Sequence, residues 1–252
     1  MRKIVIANQK GGVGKTTTAV NIAAGLSRAG RKTLLVDMDP QANATFAVMG
    51  PQQFENTIYD VVINNLPTYE AIVSTPQDNL YLLPSTIDLA GAEVELVSKV
   101  GGQTRLRNKL KDLEGNGYDF LIIDAPPSLG FLTINALAAA SEVLIPVSTS
   151  IFALNGIQML ESTIEQVRVE LNVSELYVSG VLVTFHDHTN VARDVFNEVK
   201  GYFTDKVFST VIPKNVKLEE AHSRTESIFV YDPSSRGAEA YAQLVQEVMN
   251  RG

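Results

Sequence analysis

Residues 10–17 read Lys10-Gly11-Gly12-Val13-Gly14-Lys15-Thr16-Thr17, and what stands on either side of them decides the fold. Before them, residues 4–7 are a short apolar, β-branched run that ends at Asn8. After them, residues 16–29 carry Ala19, Ile22, Ala23 and Leu26 at helical spacing, with Gly30 placed to stop the helix. Strand, glycine-rich turn and helix in this order form a phosphate cradle. The glycines let the backbone curl so that successive N–H groups and the helix N-terminus face an anion. Lys15 is placed to reach the β- and γ-phosphates, and the Thr16 hydroxyl to ligate Mg²⁺. Without the lysine and the strand–helix context, the same glycines would make only a turn. One position departs from the common pattern, which has Gly six residues before Lys15. Gln9 stands there, and a further lysine, Lys10, opens the loop.

Outward from the loop, short apolar runs alternate with helical stretches. Runs over residues 33–36, 80–83, 120–123, 143–147 and 177–183 read as strands. Helices are expected over 58–65, 88–97, 104–113, 153–169, 191–202 and 234–250, and a late strand over 207–212, stopped by Pro213. Apolar strands without alternation, separated by helices, belong to a sheet covered on both faces. The expectation is an α/β fold: a doubly wound, mostly parallel sheet flanked by helices. No repeat and no Gly/Ser/Pro-rich linker divides the chain, so residues 1–252 read as one domain.

Carboxylates end two of these strands. Asp124 closes 120–123, where an acidic group beside a Mg²⁺ shell is expected. Asp37 and Asp39 follow 33–36, and the period of two puts both on one side of an extended segment. One is placed to orient water toward the γ-phosphate and the other to hold Mg²⁺-bound water or Lys15. Turn formation by Asp39-Pro40 is the structural alternative.

Composition narrows the classes of function. The chain has no cysteine, which excludes disulfides, thiolate nucleophiles, thiolate zinc sites and cysteine-ligated iron–sulfur clusters. No apolar run is long enough to span a bilayer, and residues 1–12 read as a first strand rather than a signal peptide. With 21 basic and 28 acidic residues the net charge is −7, so the chain as a whole repels DNA and anionic lipid. Contact with nucleic acid would need a local basic patch, completed by dimerisation.

At this point the chain resembles the ParA-type ATPases of the deviant Walker A branch of P-loop proteins, the branch that also holds MinD and the nitrogenase iron protein. KGGVGKTT at 10–17 looks like the deviant phosphate loop, and DMDPQANAT at 37–45 like the first switch. FLIIDAPPSLG at 120–130, continued by TINAL at 133–137, looks like Walker B and the second switch. IPKNVKLEEA at 212–221 and YDPSSRGAEAY at 231–241 resemble the C-terminal part. The resemblance implies an ATP- and Mg²⁺-dependent hydrolase that dimerises on ATP. In it Lys10 reaches the partner subunit's phosphates, and Gly11 and Gly12 permit the close approach. Val13 to Thr17 cradle the nucleotide, with Lys15 on phosphate and Thr16 on Mg²⁺. Asp39 activates the water, Asp37 and Asp124 lie on the magnesium side, and Pro213 lies by the adenine.

The resemblance also implies non-specific DNA binding, a cytoplasmic and nucleoid-associated location, and a ParB-like or other cargo adaptor that stimulates hydrolysis. The cargo is a plasmid, a chromosome region or a protein body such as a carboxysome. The expected DNA contacts are Lys214 and Lys217, joined by Arg193 or Arg224. From Arg193 to Arg224, however, six basic residues face five acidic ones. Ser150 and Asn155 stand where relatives usually carry Glu, and 184–192 lacks their Arg before Thr-Asn. Two other classes are weighed. MinD-like membrane cycling would use a C-terminal helix with Lys/Arg on its polar face. Here Tyr241, Leu244, Val245, Val248 and Met249 form a stripe whose polar face is almost without base, so core packing is the expectation. Electron transfer needs cysteines, and there are none. His186 and His188 flank Asp187 at a spacing that suits a metal, but without a visible third ligand they read as a surface turn.

Overall fold

Runs of Val, Ile and Leu with no polar face become strands only where both faces find cover, and that condition shapes the whole molecule. The computed structural model describes residues 1–149, 155–187 and 189–251. Its strands are β1 (Arg2–Ile6), β2 (Thr33–Asp37), β3 (Val73–Ser74), β4 (Leu80–Leu83), β5 (Phe120–Asp124), β6 (Glu142–Ser148) and β7 (Tyr177–Thr184). They form one sheet in the order β3-β4-β2-β5-β1-β6-β7, parallel except for the short edge strand β3. The order reverses direction at β1, which pairs with β5 on one side and β6 on the other, so the loop after β1 emerges where a parallel sheet opens a crevice.

The helices are α1 (Lys15–Arg28), α2 (Asn43–Met49), α3 (Ile58–Val62), α4 (Thr68–Ala71), α5 (Leu89–Ser98), α6 (Arg105–Leu110) and α7 (Phe131–Ala139). They continue with α8 (Asn155–Glu170), α9 (Asn190–Phe203), α10 (Val216–Ser223), α11 (Ile228–Tyr231) and α12 (Arg236–Asn250). Alternate strand residues divide the core. Val5, Leu34, Val36, Leu121, Ile123 and Val143 pack under α3 and α5–α9. Ile4, Ile6, Leu35, Ile122 and Leu144 pack under α1, α2 and α10–α12. The doubly wound, mostly parallel sheet expected from the sequence is the observed one.

Three local expectations are corrected. Residues 207–212 are not a strand. They meet β7 at a bridge at Val207 and through the Phe208 and Ile212 N–H groups, which donate to the Val181 and Val183 carbonyls. Between these, the N–H groups of Ser209 and Thr210 donate to the Glu247 carboxylate of α12, at 3.0 and 2.8 Å, so no continuous ladder forms. The helix expected over 104–113 is α6 between two 3-10 turns, and the one over 58–65 stops at Val62, with Asn65 at φ 65°. The antiparallel strand β3 and helices α2, α4, α7 and α11 were not legible. Helix α8 is described from Asn155, so residues 153 and 154 of the expected helix lie outside the described residues.

Candidate nucleotide site

The loop between β1 and α1 carries its glycines where a side chain would strain the turn. Gly12 has φ 69° and Gly14 φ 83°, the left-handed region, and Gly14 is the residue from which α1 starts. The Asn8 side chain pins the loop's first half, accepting the Lys10 N–H at 3.0 Å and donating to the Pro146 carbonyl at 2.7 Å. Its second half rests on the end of β7, where Thr184 Oγ1 donates to the Val13 carbonyl at 2.9 Å. Lys15 is 7 % exposed, and its Nζ donates to the Lys10 carbonyl at 3.1 Å, so the ammonium folds back under the loop. Burial lowers its pKa, against the pull of Asp124 and Asp39. Thr16 and Thr17 open α1 at half-buried positions, whereas Lys10 and Gly11 lie on the exposed rim.

Neighbouring strand ends supply the acids. Asp37 and Asp124 are opposed in the β2–β5 register, and both are fully buried. Asp37 is held by the first switch: Thr45 N–H and Thr45 Oγ1 each donate to its Oδ2 at 2.8 Å, and Asp39 N–H donates to its Oδ1 at 3.1 Å. Burial still raises its pKa to about 6, with the Thr45 bonds opposing. Asp124 differs, since neither of its carboxylate oxygens has a hydrogen-bond partner. Burial, then the charge of Asp37, pushes its pKa well up, while the Thr16 hydroxyl and the Lys15 ammonium favour its ionised form. Asp39 lies at the mouth. Its Oδ1 accepts Gln41 N–H at 2.9 Å, and its carbonyl is held by Ser85 Oγ at 2.8 Å.

The residues present fit a divalent cation and a nucleotide. A buried carboxylate with two orphan oxygens is costly unless something charged completes it. The donor set around Asp124 (Thr16 hydroxyl, Asp37 carboxylate, Lys15 ammonium) is hard oxygen plus one cation. On the far side of the loop, Pro213 bridges in parallel to His186, whose Nδ1 is buried without a hydrogen-bond partner. Sequence reasoning singled out Asp37, Asp39, Asp124 and the loop, which the structure gathers at the carboxyl ends of the central strands β2, β5 and β1. It gave no part to Asn8, Thr45, Ser85 or Thr184, although Asn8 lies two residues past β1, Thr184 ends β7 and Thr45 sits eight residues beyond Asp37. The TINAL residues turn out to be structural. Asn135 accepts Leu106 N–H and donates to the Gly102 carbonyl, and Thr133 Oγ1 caps back to the Ser128 carbonyl, so they fix α7 behind the second switch.

The candidate DNA-contact residues lie on two segments, α9 and the stretch from Lys214 to the end of α10. Arg193, near the start of α9, and Lys214, whose N–H donates to the His186 carbonyl, flank the segment after β7. Lys217 is engaged by Glu220 at 2.7 Å. Arg224 stands at the other end of α10, beside Thr225, which packs on Gly50. No group of three or more potential metal ligands occurs among the described residues, so His186 and Asp187 sit in no such cluster. His188 and Ser150 lie outside the described residues, as does the side chain of Asn155.

A glycine loop with a buried lysine at a topological switch point, facing paired buried carboxylates and preceded by a second lysine, defines a P-loop nucleotide hydrolase of the deviant Walker A type. A family model described as "AAA domain" matches residues 1–176. The sporulation initiation inhibitor protein Soj of Bacillus subtilis is 48 % identical over 99 % of this chain and 98 % of its own length. The chromosome partitioning protein ParA of Myxococcus xanthus is 47 % identical over 99 % of this chain and 88 % of its own. A structure described as cobyrinic acid a,c-diamide synthase from Mycobacterium smegmatis, with bound ATP analogue and magnesium, superposes with a TM-score of 0.86. It is 34 % identical and covers 99 % of this chain and 95 % of that one. The chain belongs to the Soj/ParA family of ATPases, and ATP and Mg²⁺ are the ligands of its site.

Proposed function

We propose that this chain, acting as one domain, is an ATPase that dimerises on ATP, binds DNA without sequence preference and positions or segregates a cargo. A ParB-like or other adaptor protein stimulates its hydrolysis. The observation that carries the ATPase reading is Asp124, a fully buried carboxylate with both oxygens unpartnered, facing Thr16 and Lys15 at the phosphate loop. Thr16, Asp37 and Asp124 hold Mg²⁺, which when bound offsets negative charge on the phosphates. Lys15 and the N–H groups from Gly11 to Thr17 take the phosphates, and the segment around Pro213 takes the base. Asp39 orients the attacking water, since its carboxylate is held at the mouth by the first switch and faces no basic side chain in a salt bridge among the described residues. Lys10, on the exposed rim, is the group that a second subunit's phosphates meet, which makes hydrolysis conditional on dimerisation.

Lys214, Lys217, Arg193 and Arg224 contact DNA phosphates, and dimerisation doubles their charge. The relative named chromosome partitioning protein ParA supports a chromosome region as cargo; a plasmid cargo, a cytoplasmic setting and the nucleoid belong to the same proposal. MinD-like membrane cycling is disfavoured by α12. Its stripe of Tyr241, Leu244, Val245 and Val248 is buried against α1, with the Tyr241 hydroxyl 3.2 Å from Thr18 Oγ1. Among the described residues no helix is long and apolar enough to cross a membrane. Cosedimentation with plain DNA and with anionic liposomes, under ATP, ADP and no nucleotide, tests the reading. DNA pelleting only with ATP is expected. Liposome pelleting in its place would transfer the protein to the membrane class.

A further inference from the structure

Neighbouring residues of a strand point to opposite faces of its sheet, and the end of β7 departs from that rule. Thr184, the last residue of β7, turns its hydroxyl to the Val13 carbonyl of the phosphate loop. By alternation Phe185 would point the other way. Instead, a Cβ placed on Gly14 would stand 3.6 Å from Phe185 Cε2 and 3.9 Å from Thr184 Cγ2, so both side chains lie against the same glycine. Phe185 has φ 52°, in the left-handed region, and this one-residue turn brings its ring to the side that Thr184 already occupies.

A bulky aromatic residue at positive φ is an outlier. Among the described residues the other non-glycine cases are three asparagines, which tolerate the region, and the smaller Ala42, Thr204 and Thr225. Strain of this kind persists only where the surroundings over-determine it, and it gathers at functional sites. Here the Phe185 carbonyl accepts Thr149 Oγ1 at 2.9 Å, and the Thr184 carbonyl accepts the Thr149 N–H at 3.3 Å. Just past the kink, the His186 N–H donates to the Ile212 carbonyl at 3.0 Å, and His186 bridges to Pro213. The kink is thus held between two paired stretches, with its ring on the loop.

Gly14 is the left-handed N-cap of α1 and stands directly before Lys15 and Thr16. A glycine at that position is free to turn, and the side chains of Thr184 and Phe185 supply from outside the constraint that a Cβ would have given. We propose that Phe185 is a positioning residue for ATP: its ring backs Gly14 and holds the N–H groups that open α1 aimed at the phosphates before the nucleotide arrives. Phe185 acts through the loop and not on the nucleotide. The proposal rests on the ATP site described above, and the two fail separately. A parent chain without ATP affinity would remove the site, whereas this proposal is read from variants of a parent that binds.

The test is displacement of a fluorescent ATP analogue from the full chain by ATP and by GTP, with Mg²⁺ present. Phe185→Ala should weaken ATP about tenfold and GTP by the same factor, because both present the same phosphates to the loop. Phe185→Leu keeps apolar bulk over Gly14 and should recover most of the loss. Phe185→Gly accepts the kink without strain but has no side chain. It should bind ATP as weakly as the alanine variant while melting at or above it, which separates the loss from unfolding. In steady-state hydrolysis the alanine variant's loss should fall on KM more than on kcat. Parental ATP affinity in the alanine or the glycine variant would overturn the proposal, as would a leucine variant no better than alanine. So would a loss for ATP that GTP does not share, because the ring would then be touching the base.

Discussion

At Asp124, two buried oxygens without donors lie across a strand register from the Asp37 carboxylate, an arrangement that costs the ligand-free protein stability. The sign follows from the protons. Asp37 has a folded pKa of about 6 against an ordinary 3.8, and Asp124 shifts the same way. In that window the folded chain holds protons that the unfolded chain has released, so stability falls as pH rises from about 4 to about 6. Asp124→Asn should therefore raise the melting temperature of the nucleotide-free protein at pH 7 by about 3 °C or more. The gain should shrink as the pH is lowered and the raised carboxylates of the parent take up protons. The same variant should lose the thermal shift given by Mg²⁺-ATP. A lower melting temperature at pH 7 would mean that Asp124 is a structural anchor. Lys15→Ala should weaken ATP binding about 100-fold or more in a nucleotide titration, because the phosphates lose a desolvated cation aimed at them. Unchanged affinity would remove the loop from the site. Asp39→Ala should keep ATP binding and the ATP-dependent dimer while slowing hydrolysis about 100-fold. Its backbone is already held by Ser85, so the switch need not collapse. Turnover at the parental rate would make Asp39 a turn residue.

At the scale of elements, α1 joins the site to the rest of the fold, and Gly25 shows how closely. A Cβ there would stand 2.5 Å from Val245 Cγ2 of α12 and 3.2 Å from the Phe229 ring of α11. Gly25→Ala should lower stability by about 1–2 kcal/mol in a denaturant titration, overpacking outweighing the gain in helix propensity. A stabilised variant would mean that α11 and α12 yield easily. The same packing explains what was legible. Both faces of the central strands are apolar, so their runs stand out in sequence, and the loop carries its conformational demand in its glycines. Residues 207–212 carry the same apolar signal, yet Glu247 takes the Ser209 and Thr210 N–H groups, a contact made 37 and 38 residues away along the chain. Helix α7 lay hidden because its polar residues, Thr133 and Asn135, serve as clamps instead of marking a wet face. Helix α5 was legible as a helix but not as a surface. Its valines look like core, but in the fold Glu93 and Glu95 are taken up in hydrogen bonds and the valines stand in water.

At the scale of the whole molecule, charge decides whether the dimer can hold DNA. A chain at −7 must gather positive charge on one face, and the candidate lysines differ in how much they have to give. Lys214 is exposed, on the segment that bridges to His186. Lys217 pairs with Glu220 at 2.7 Å, with both side chains part-exposed, and the Tyr231 hydroxyl donates to the same carboxylate. Part of the Lys217 charge is thus answered within the chain, although water screens that pair. Phosphate contacts release counterions, so each one lost lowers the slope of log affinity against log salt by about 0.9, whatever the DNA sequence. A dimer loses two contacts for each lysine removed. With ATP present, Lys214→Ala should weaken non-specific DNA binding and reduce the slope by up to about 1.8. Lys217→Ala should do less, because part of that lysine's charge is already answered by Glu220 within the chain. The double variant should weaken all sequences alike. If both slopes and affinities match the parent, the charge that holds DNA lies elsewhere on the dimer. If Lys217→Ala has the larger effect, the pair with Glu220 must open on binding, and Glu220→Gln would then tighten DNA binding by releasing the lysine in advance.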